Sequence, residues 1–436
     1  MNQNKEKVIL AYSGGLDTSC CIKWLQETLN LDVIAVVGEV GQEHDGLEQV
    51  RDKALKMGAL DCIIVDLREE YAENFLTKAI AANGLYENKY PLLSALSRPA
   101  ICKHLVDAAH RFGAKYVAHG CTGKGNDQVR FENSIAMLDP SLTILAPVRD
   151  WEFNTRPQEM EWAAEHGVII PDKKVSQYSI DDNMFGRAIE CGVLEDPWIE
   201  PPSDIYTMTV NPEDAPDAPT YVEIEFKFGK PIALDGKPMG MVEIVETMNA
   251  IAGGNGYGRI DMVENRLVGV KSREVYECPG ALAIIEAHKA LEDLVLERDV
   301  LHNKLGLEQL WAQEVYYGKW YSPLKEAIDA FVASTQQCLN GTVRCKFYKG
   351  SCTVVGRKSV YSLYNEALAT YGEDDAFNHQ AAAGFIEING LSARNWARSR
   401  RWAGARTDVE DAFNAVGPLS LKPSILEDAE TMPEEA

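Results

Sequence analysis

The chain has 436 residues, a length typical of two domains with sizeable cores. Its 66 acidic and 43 basic residues give a formal net charge of −23, and such a surface repels phosphate backbones, so nucleic acid is not expected as a main partner. The polar N-terminal segment is unlike a secretory signal and no apolar run could span a bilayer, which predicts a cytoplasmic protein without membrane contact.

Cysteine spacing argues against a metal centre. The ten cysteines form no CxxC pair and no Cys/His cluster at zinc spacing. We therefore interpret them as reduced thiols that mostly fill the core, and we predict no protein metal site.

The first distinctive stretch joins a strand to a helix. Residues 8–11 are apolar and β-branched, typical of a buried strand, and residues 20–29 carry apolar side chains at helical spacing. Between them runs Ala11-Tyr12-Ser13-Gly14-Gly15-Leu16-Asp17-Thr18-Ser19. Such a turn directs free backbone N–H groups at one point near the positive end of the helix dipole, and glycines allow close approach. The pattern predicts a phosphate cradle. The alternative is an ordinary capped turn.

Strand-like and helix-like segments alternate up to about residue 148. The predicted strands are 32–40, 62–65, 115–118 and 143–148, and the predicted helices are 47–57, 69–82 and 99–112. This alternation predicts an α/β fold with a parallel sheet and helices on both faces. Ligands of such sheets bind at the carboxyl ends of the strands, where the Ser13 turn would lie.

The pattern changes near residue 170. Two stretches rich in proline and acidic residues, 196–202 and 211–219, predict loops. The remaining predictions are a strand at 221–226, helices at 280–305 and 324–338, and a hairpin of 343–346 with 352–355 around Lys349-Gly350. We expect three parts: a nucleotide-binding domain at 1–170, an α+β domain at 171–370 and a helical oligomerisation arm with an acidic, disordered end at 371–436.

The arm contains a basic and aromatic run. Its members are Arg394, Trp396, Arg398, Arg400, Arg401, Trp402 and Arg406. Such a run could bind nucleic acid, or it could anchor a helix on an acidic neighbouring subunit. The overall acidity favours the subunit interface.

A second glycine-bearing loop follows the predicted strand at 115–118. It reads His119-Gly120-Cys121-Thr122-Gly123-Lys124-Gly125-Asn126-Asp127-Gln128-Val129-Arg130-Phe131-Glu132. Its glycines expose backbone N–H groups, and Thr122, Asn126 and Arg130 suit carboxylate ligands. Taken alone, it could also be a solvent loop. Two such loops after parallel strands would face each other at one edge of the sheet.

Together these loops resemble a known family. The motif at 13–19 has no P-loop lysine and is similar to the pyrophosphate loop of the N-type ATP pyrophosphatases. With the second loop it resembles the argininosuccinate synthase family. Further matching stretches are Val40-Gly41-Gln42, Leu85-Tyr86-Glu87, Lys89-Tyr90-Pro91, Arg98-Pro99, residues 258–266, Lys271-Ser272-Arg273, Tyr276-Glu277 and Ser362-Leu363-Tyr364-Asn365. The resemblance covers about residues 8–390.

The resemblance implies a ligase that joins citrulline to aspartate and releases AMP and pyrophosphate. A ureido carbon is a poor electrophile, so its oxygen would first attack the α-phosphate of ATP to form citrullyl-AMP. The aspartate amine would then displace AMP. Catalysis would rest on positioning and electrostatics, with Mg²⁺ accompanying ATP. The implied partners are these small molecules, in a homotetramer.

The resemblance also assigns site residues. ATP would contact Ala11, Tyr12, Ser13, Gly14, Gly15, Leu16, Asp17, Thr18, Ser19, Gly38 and Gly120. Citrulline would contact Tyr90, Ser94, Ala95, Asn126, Arg130, Ser179, Ala188, Glu264 and Tyr276. Aspartate would contact Thr122, Asn126 and Asp127, and the catalytic candidates are Asp17, Asp127 and Arg130. Without the resemblance, the two tyrosines would be interpreted as core residues.

Two positions depart from the family pattern. Ser94-Ala95 stands where a Thr-Ser or similar pair is usual, and Ala188 stands where a serine is usual. Each loses a hydroxyl that could bond citrulline, a change worth about 1 kcal/mol.

Two rival functions were weighed. One is another pyrophosphate-loop enzyme, which would need a catalytic N-terminal cysteine, a glutaminase domain or a basic RNA-binding face. The other is a nucleotide-sensing protein on a former ligase scaffold, supported by Ala95 and Ala188 and opposed by the intact loops.

Overall fold

The computed structural model describes residues 5–42, 46–153, 155–169 and 177–402. They fall into two compact units, one ending at Tyr364 and the other beginning at Asn365. The predicted boundary at residue 170 lies outside the described residues, and the three predicted domain ranges stay predictions. No helix of the described residues is long and apolar enough to cross a membrane.

A parallel sheet dominates the first part of the chain, as predicted. Its strands are β1 (Lys7–Ala11), β2 (Asp32–Glu39), β3 (Asp61–Asp66), β4 (Tyr116–Ala118) and β5 (Thr143–Leu145). They pair in the order β3-β2-β1-β4-β5, with Val8 of the central strand opposite Val33 on one side and Tyr116 on the other. Both neighbours of β1 are therefore strands whose carboxyl ends lie at the same edge.

Helices cover both faces of this sheet. They are α1 (Leu16–Thr28), α2 (Leu47–Lys56), α3 (Arg68–Tyr71), α4 (Thr77–Ala81), α5 (Leu93–Phe112), α6 (Asp127–Leu138), α7 (Pro147–Asp150) and α8 (Arg156–Glu165). Val8 and Leu10 pack with α1 and α8, whereas Ile9 and Ala11 pack with α5 and α6. The alternation of side chains along β1 thus fills two separate cores.

Two antiparallel sheets follow. Their strands are β6 (Ser179–Asn183), β7 (Gly186–Glu190), β8 (Thr220–Lys227), β9 (Lys230–Leu234), β10 (Lys237–Pro238), β11 (Arg259–Asn265), β12 (Lys271–Glu277), β13 (Gly341–Tyr348) and β14 (Ser351–Lys358). One sheet has the order β11-β12-β7-β6 and the other β10-β9-β8-β13-β14. The predicted hairpin at Lys349-Gly350 is confirmed, and both turn residues have positive φ. The sequence analysis did not predict the four-stranded sheet.

The remaining helices complete both units. They are α9 (Met241–Gly254), α10 (Pro279–Val295), α11 (Arg298–Tyr316), α12 (Pro323–Thr335), α13 (Glu366–Ala369), α14 (His379–Asn389) and α15 (Leu391–Trp402). The last three belong to the second unit. Arg406 and the acidic end lie outside the described residues.

Several predicted bounds were wrong. The single helix expected at 280–305 is two helices, because the side chain of Glu297 accepts hydrogen bonds from the backbone of Asp299 and Val300 and starts α11. The helix expected from Pro99 begins at Leu93 with the proline inside it. The stretch 69–82 contains a π-helical turn at Ala72–Leu76. The last strand stops at Leu145, since Pro147 begins α7.

Candidate functional site

The two glycine-bearing loops meet at the carboxyl edge of the parallel sheet. The first follows β1 and the second follows β4, its neighbour in the sheet. A Cβ atom at Gly120 would lie 2.8 Å from Cγ2 of Thr18, so the close approach requires a glycine. The predicted juxtaposition of the loops is present.

The first loop is held open by its own hydroxyl groups. The Oγ atoms of Ser13 and Thr18 lie 3.1 Å apart, and the Gly15 N–H donates to Ser13 Oγ at 3.3 Å. Gly14 has a φ of 78°, and the ammonium of Lys53 donates to its carbonyl oxygen at 2.8 Å. Burial lowers the pKa of Lys53. The loop is anchored from α2 behind it.

A cavity of about 430 Å³ lies between this loop, the end of β2 and the second loop. Its lining includes six of the predicted ATP-binding residues besides Gly120: Ala11, Tyr12, Ser13, Gly15, Thr18 and Gly38. Apolar side chains of Val36, Val40, Ile101 and Phe131 form much of the remaining wall. A phosphate cradle beside an apolar pocket suits a nucleotide, whose base is apolar on its faces. We call this the nucleotide cavity.

Gly38 shapes the wall of the nucleotide cavity at the end of β2. A Cβ atom there would lie 2.8 Å from Cγ1 of Ile101, so a side chain would push α5 away. The amide of Gln42 folds back over the same strand end, donating to Gly38 O at 2.8 Å and accepting from Val40 N at 2.6 Å.

A second cavity, of about 350 Å³, opens beside the first. It is lined mainly by polar side chains, and we call it the polar cavity. Its lining holds most of the predicted amino-acid ligands: Tyr90, Ser94, Thr122, Asn126, Asp127, Arg130, Ser179, Ala188, Glu264 and Tyr276. Both cavities share Ser13, Arg98, Gly120, Cys121, Asp127 and Ile180. Ligands in the two cavities would therefore touch.

Arg98 stands where the cavities join. Its Nη2 donates to Asp127 Oδ2 at 2.7 Å and to Asp181 Oδ2 at 2.6 Å. Arg130 donates to the other Asp127 oxygen at 2.8 Å. Burial alone would raise the pKa of Asp127, but the two guanidinium groups outweigh it and hold this pKa below its ordinary value. Asp127 is thus an ionised carboxylate at neutral pH.

Glu264 lies at the other side of the polar cavity, on β11. The hydroxyl of Tyr276 donates to its Oε2 at 2.7 Å, and the hydroxyl of Tyr316 on α11 donates to its Oε1 at 2.5 Å. Burial raises the pKa of Glu264, and these two hydrogen bonds oppose the rise. Tyr90 stacks on Tyr276 with ring centroids 4.4 Å apart. The tyrosines are buried, as a core interpretation would have them, and yet line the cavity.

Asn126 connects the two halves of the cleft. Its Nδ2 donates to Tyr316 Oη at 2.8 Å, and its Oδ1 accepts from Leu267 N at 3.0 Å. Each end of the amide keeps one further hydrogen-bonding position for a ligand. Arg130 donates to the backbone oxygen of Tyr316 at 3.1 Å. The second loop is therefore tied to α11 of the later domain.

Four predicted residues do not line either cavity. Leu16 and Ser19 are buried in α1, where Ser19 Oγ donates to Gly15 O at 2.6 Å. Gly14 sits behind the cradle against Val50. Ala95 is fully buried in the core on α5, so its side chain faces packing rather than the polar cavity.

Asp17 lines the polar cavity and is paired with α8. Arg156 Nη1 lies 2.6 Å from Asp17 Oδ1 and 3.1 Å from Glu159 Oε2. Burial and the neighbouring Asp17 raise the pKa of Glu159 to about 8. Among the described residues, no group of three or more His, Cys, Asp or Glu side chains could hold a metal ion.

The sequence analysis missed several lining residues. They are Arg98, Asp181, Glu190, Arg266 and Glu274, with Tyr316 behind Glu264. Arg98 lay within a matched stretch, which was a usable signal. The others face the site only because the four-stranded sheet forms the floor of the polar cavity.

Comparison with known families matches this architecture. Residues 7–169 match the model described as "Arginosuccinate synthase N-terminal HUP domain", and residues 178–396 match "Arginosuccinate synthase C-terminal domain".

Curated relatives agree over nearly the whole chain. Argininosuccinate synthase of Streptococcus gordonii is 54% identical over 390 residues, or 89% of this chain and 97% of that protein. The argininosuccinate synthases of Rubrobacter xylanophilus and Thermosynechococcus vestitus are each 53% identical, covering 90% and 91% of this chain and 95% and 98% of their own length.

Proposed function

The chain belongs to the argininosuccinate synthase family, and we propose that its two joined cavities hold ATP on one side and citrulline with aspartate on the other. The reaction is the ATP-dependent ligation of citrulline and aspartate to argininosuccinate, with release of AMP and pyrophosphate. The observation that carries the proposed arrangement is the junction at Arg98, Gly120 and Asp127, which belongs to both cavities.

ATP binds with its phosphates on the Ser13 loop and its base against the apolar wall near Gly38 and Ile101. The backbone N–H groups of the loop and the N-terminus of α1 supply positive partial charge where pyrophosphate departs. Ser13 and Thr18 add hydroxyl donors. The α-phosphate then lies at the junction of the cavities, within reach of a nucleophile from the polar side.

Citrulline occupies the polar cavity with its ureido oxygen at that junction. This oxygen attacks the α-phosphate, so an O–P bond forms as the bond to pyrophosphate breaks, giving citrullyl-AMP. Tyr90, Ser94, Ser179, Glu264 and Tyr276 hold the rest of the molecule. Because no covalent enzyme intermediate is needed, the contribution of the protein is position and charge.

Aspartate lies beside the second loop. Thr122 and Asn126 bind it, and the ionised Asp127 holds its amino group near the citrullyl carbon. The lowered pKa of Asp127 suits this orienting role better than proton abstraction at neutral pH, since a carboxylate far below its ordinary pKa is a weak base. The amine displaces AMP. Arg130 fixes Asp127.

Mg²⁺ enters with ATP, held chiefly by phosphate oxygens and water. Asp17 is the carboxylate of the phosphate loop, and its side chain lines the polar cavity, so it is the protein group that fits this ion. The ion would shield negative charge on the departing pyrophosphate.

We also propose a homotetramer in the cytoplasm, on the strength of the family resemblance. Exposed apolar side chains on α14, Phe385, Ile386 and Ile388, support an assembly role for the second unit. Light scattering on the purified chain tests this, with four chain masses expected.

The test of function is pyrophosphate release from ATP, with citrulline and aspartate each omitted in turn. We expect release to require citrulline and argininosuccinate to form only when aspartate is added. Release with neither amino acid, or no release under any combination, would contradict the proposal and favour a different acceptor or a nucleotide-sensing role.

A further inference from the structure

A second carboxyl group on the floor of the polar cavity has no role in the function proposed above. Glu274 lies on β12, where the next residue, Val275, opposes Ile189 of β7 and Tyr276 opposes Ala188. Residues two apart on a strand share a face, so Glu274 and Tyr276 both point into the cavity, one diagonal step from each other's partners. Glu274 is therefore a diagonal neighbour of Ala188, where the family usually carries a serine.

The contacts of Glu274 leave this corner negatively charged. Arg266 Nη2 donates to Glu274 Oε1 at 2.7 Å and also binds Glu190. Ser272 Oγ donates to the same Glu274 oxygen at 3.4 Å. Two carboxyl groups thus share one guanidinium. Glu274 is only 6% exposed, yet it lines the cavity.

The position of this corner fixes which part of citrulline reaches it. The ureido oxygen must meet the α-phosphate, so it lies at the junction formed by Arg98, Gly120 and Asp127. Glu190, Arg266 and Glu274 line only the polar cavity, away from the nucleotide. They accordingly face the amino-acid end of citrulline, which carries an ammonium and a carboxylate.

An ammonium at this end needs acceptors. The two oxygens of Glu264 already accept from Tyr276 and Tyr316, and Ala188 offers no hydroxyl. We propose that Glu274 binds the α-ammonium of citrulline in place of the absent hydroxyl and selects substrates with a free α-amino group. This inference rests on the proposed function and adds a specificity-determining residue to it.

Electrostatics agree with the geometry. Burial, together with the charges of Glu190 and Glu264, raises the pKa of Glu274 to about 9. A cation bound between these carboxyl groups relieves the repulsion, whereas a neutral or anionic group would not.

The experiment compares citrulline with 5-ureidopentanoate, the same molecule without its α-amino group. For Glu274→Ala we expect the KM for citrulline to rise about tenfold, the effect of losing one charge-assisted hydrogen bond. We expect kcat and the KM values for ATP and aspartate to stay within twofold. The preference for citrulline over 5-ureidopentanoate should fall by the same tenfold.

Two further variants separate a ligand from a structural residue. Adding Ala188→Ser to Glu274→Ala should restore most of the citrulline affinity, because a hydroxyl returns at the neighbouring position. Lys271→Met is the control, since Lys271 is exposed on the same strand and does not line the cavity. Glu274→Gln keeps the shape, so it tests the charge even if the alanine variant folds poorly, and its KM for citrulline should rise about threefold.

Equal losses with citrulline and 5-ureidopentanoate, or unchanged citrulline KM in both Glu274 variants, would overturn the inference. The unchanged chain is assayed alongside. Absence of citrulline-dependent pyrophosphate release from that chain would instead contradict the proposed function.

Discussion

The two sides of the cleft are built in different ways. The nucleotide side is a continuous stretch: one strand end, one turn and one helix start place the hydroxyls and backbone N–H groups of residues 11–19. The citrulline side is assembled from four strands, with Ser179, Ala188, Glu264 and Tyr276 each on a different one. The first depends on local geometry and tolerates little change, whereas the second can exchange one side chain for a neighbour on the same sheet face.

This difference explains why the two departures from the family pattern lie on the citrulline side. Ala95 is in the core and costs no contact with the cavity. Ala188 does face the cavity, and Glu274 stands close enough to act in its place. Four variants or conditions test the contrast, in order of expected effect.

Arg98→Met should damage both sides at once. It removes the charge that Asp127 and Asp181 share, and losing one partner of a buried pair costs about 2–5 kcal/mol. We expect kcat/KM to fall about 1,000-fold in steady-state assays. The pKa of Asp127 should rise without Arg98, so the acid limb of the pH–rate profile should move to higher pH.

Arg98→Lys, which keeps the charge, is the matched control and should lose much less. If Arg98→Met retained more than a tenth of the activity, the junction would not be where the reaction occurs.

Gly120→Ala should damage only the nucleotide side. The new Cβ would lie 2.8 Å from Thr18 Cγ2, and rotating Thr18 to make room would break its contact with Ser13. We expect the KM for ATP to rise about tenfold while citrulline binding, measured by calorimetry, is unchanged. Gly123→Ala is the control, because its nearest neighbour would be 3.9 Å away. Equal effects of the two variants would mean that the contact between the loops is unimportant.

Lys53→Met should have a smaller effect on the same side. It removes the hydrogen bond to Gly14 O that supports the loop from behind. A contribution of about 1 kcal/mol predicts a roughly fivefold rise in the KM for ATP. Lys56→Met, an exposed change on the same helix, should do nothing. A loss of citrulline affinity in Lys53→Met would show that the two sides are not independent.

The citrulline side should respond to pH through Glu274. Its pKa of about 9 leaves it protonated in the free enzyme, because of burial and the nearby charges of Glu190 and Glu264, with Arg266 opposing them. Binding an ammonium favours the ionised form, so the KM for citrulline should fall about threefold from pH 7 to pH 8.5. The KM for ATP should not follow. A citrulline KM with the same slope in Glu274→Gln would assign the titration to another group.

The sequence predicted the nucleotide side well for a physical reason. A strand, a glycine turn and a helix start are local, so their geometry can be derived from adjacent residues such as Ser13, Gly14 and Thr18. Whether Ala188 and Tyr276 are neighbours depends on strand register, which the sequence does not display. The resemblance supplied those residues, but it could not supply Glu274 or Arg266, which belong to the site only through that pairing.

Helix ends near α5 and α11 were mispredicted for similar reasons. Pro99 was taken as a helix start, yet packing on the sheet tolerates it inside α5. The break before α11 depends on the side chain of Glu297 folding over two backbone N–H groups, a contact that periodicity does not show.

The most direct test of the account follows the ureido oxygen of citrulline. The chain is incubated with ATP, aspartate and citrulline labelled with ¹⁸O at the ureido position, and the products are separated and weighed by mass spectrometry. The account predicts that the label appears in AMP, since that oxygen attacks the α-phosphate at the junction of the two cavities. Label in pyrophosphate or inorganic phosphate, or label retained by the amino-acid product, would contradict it.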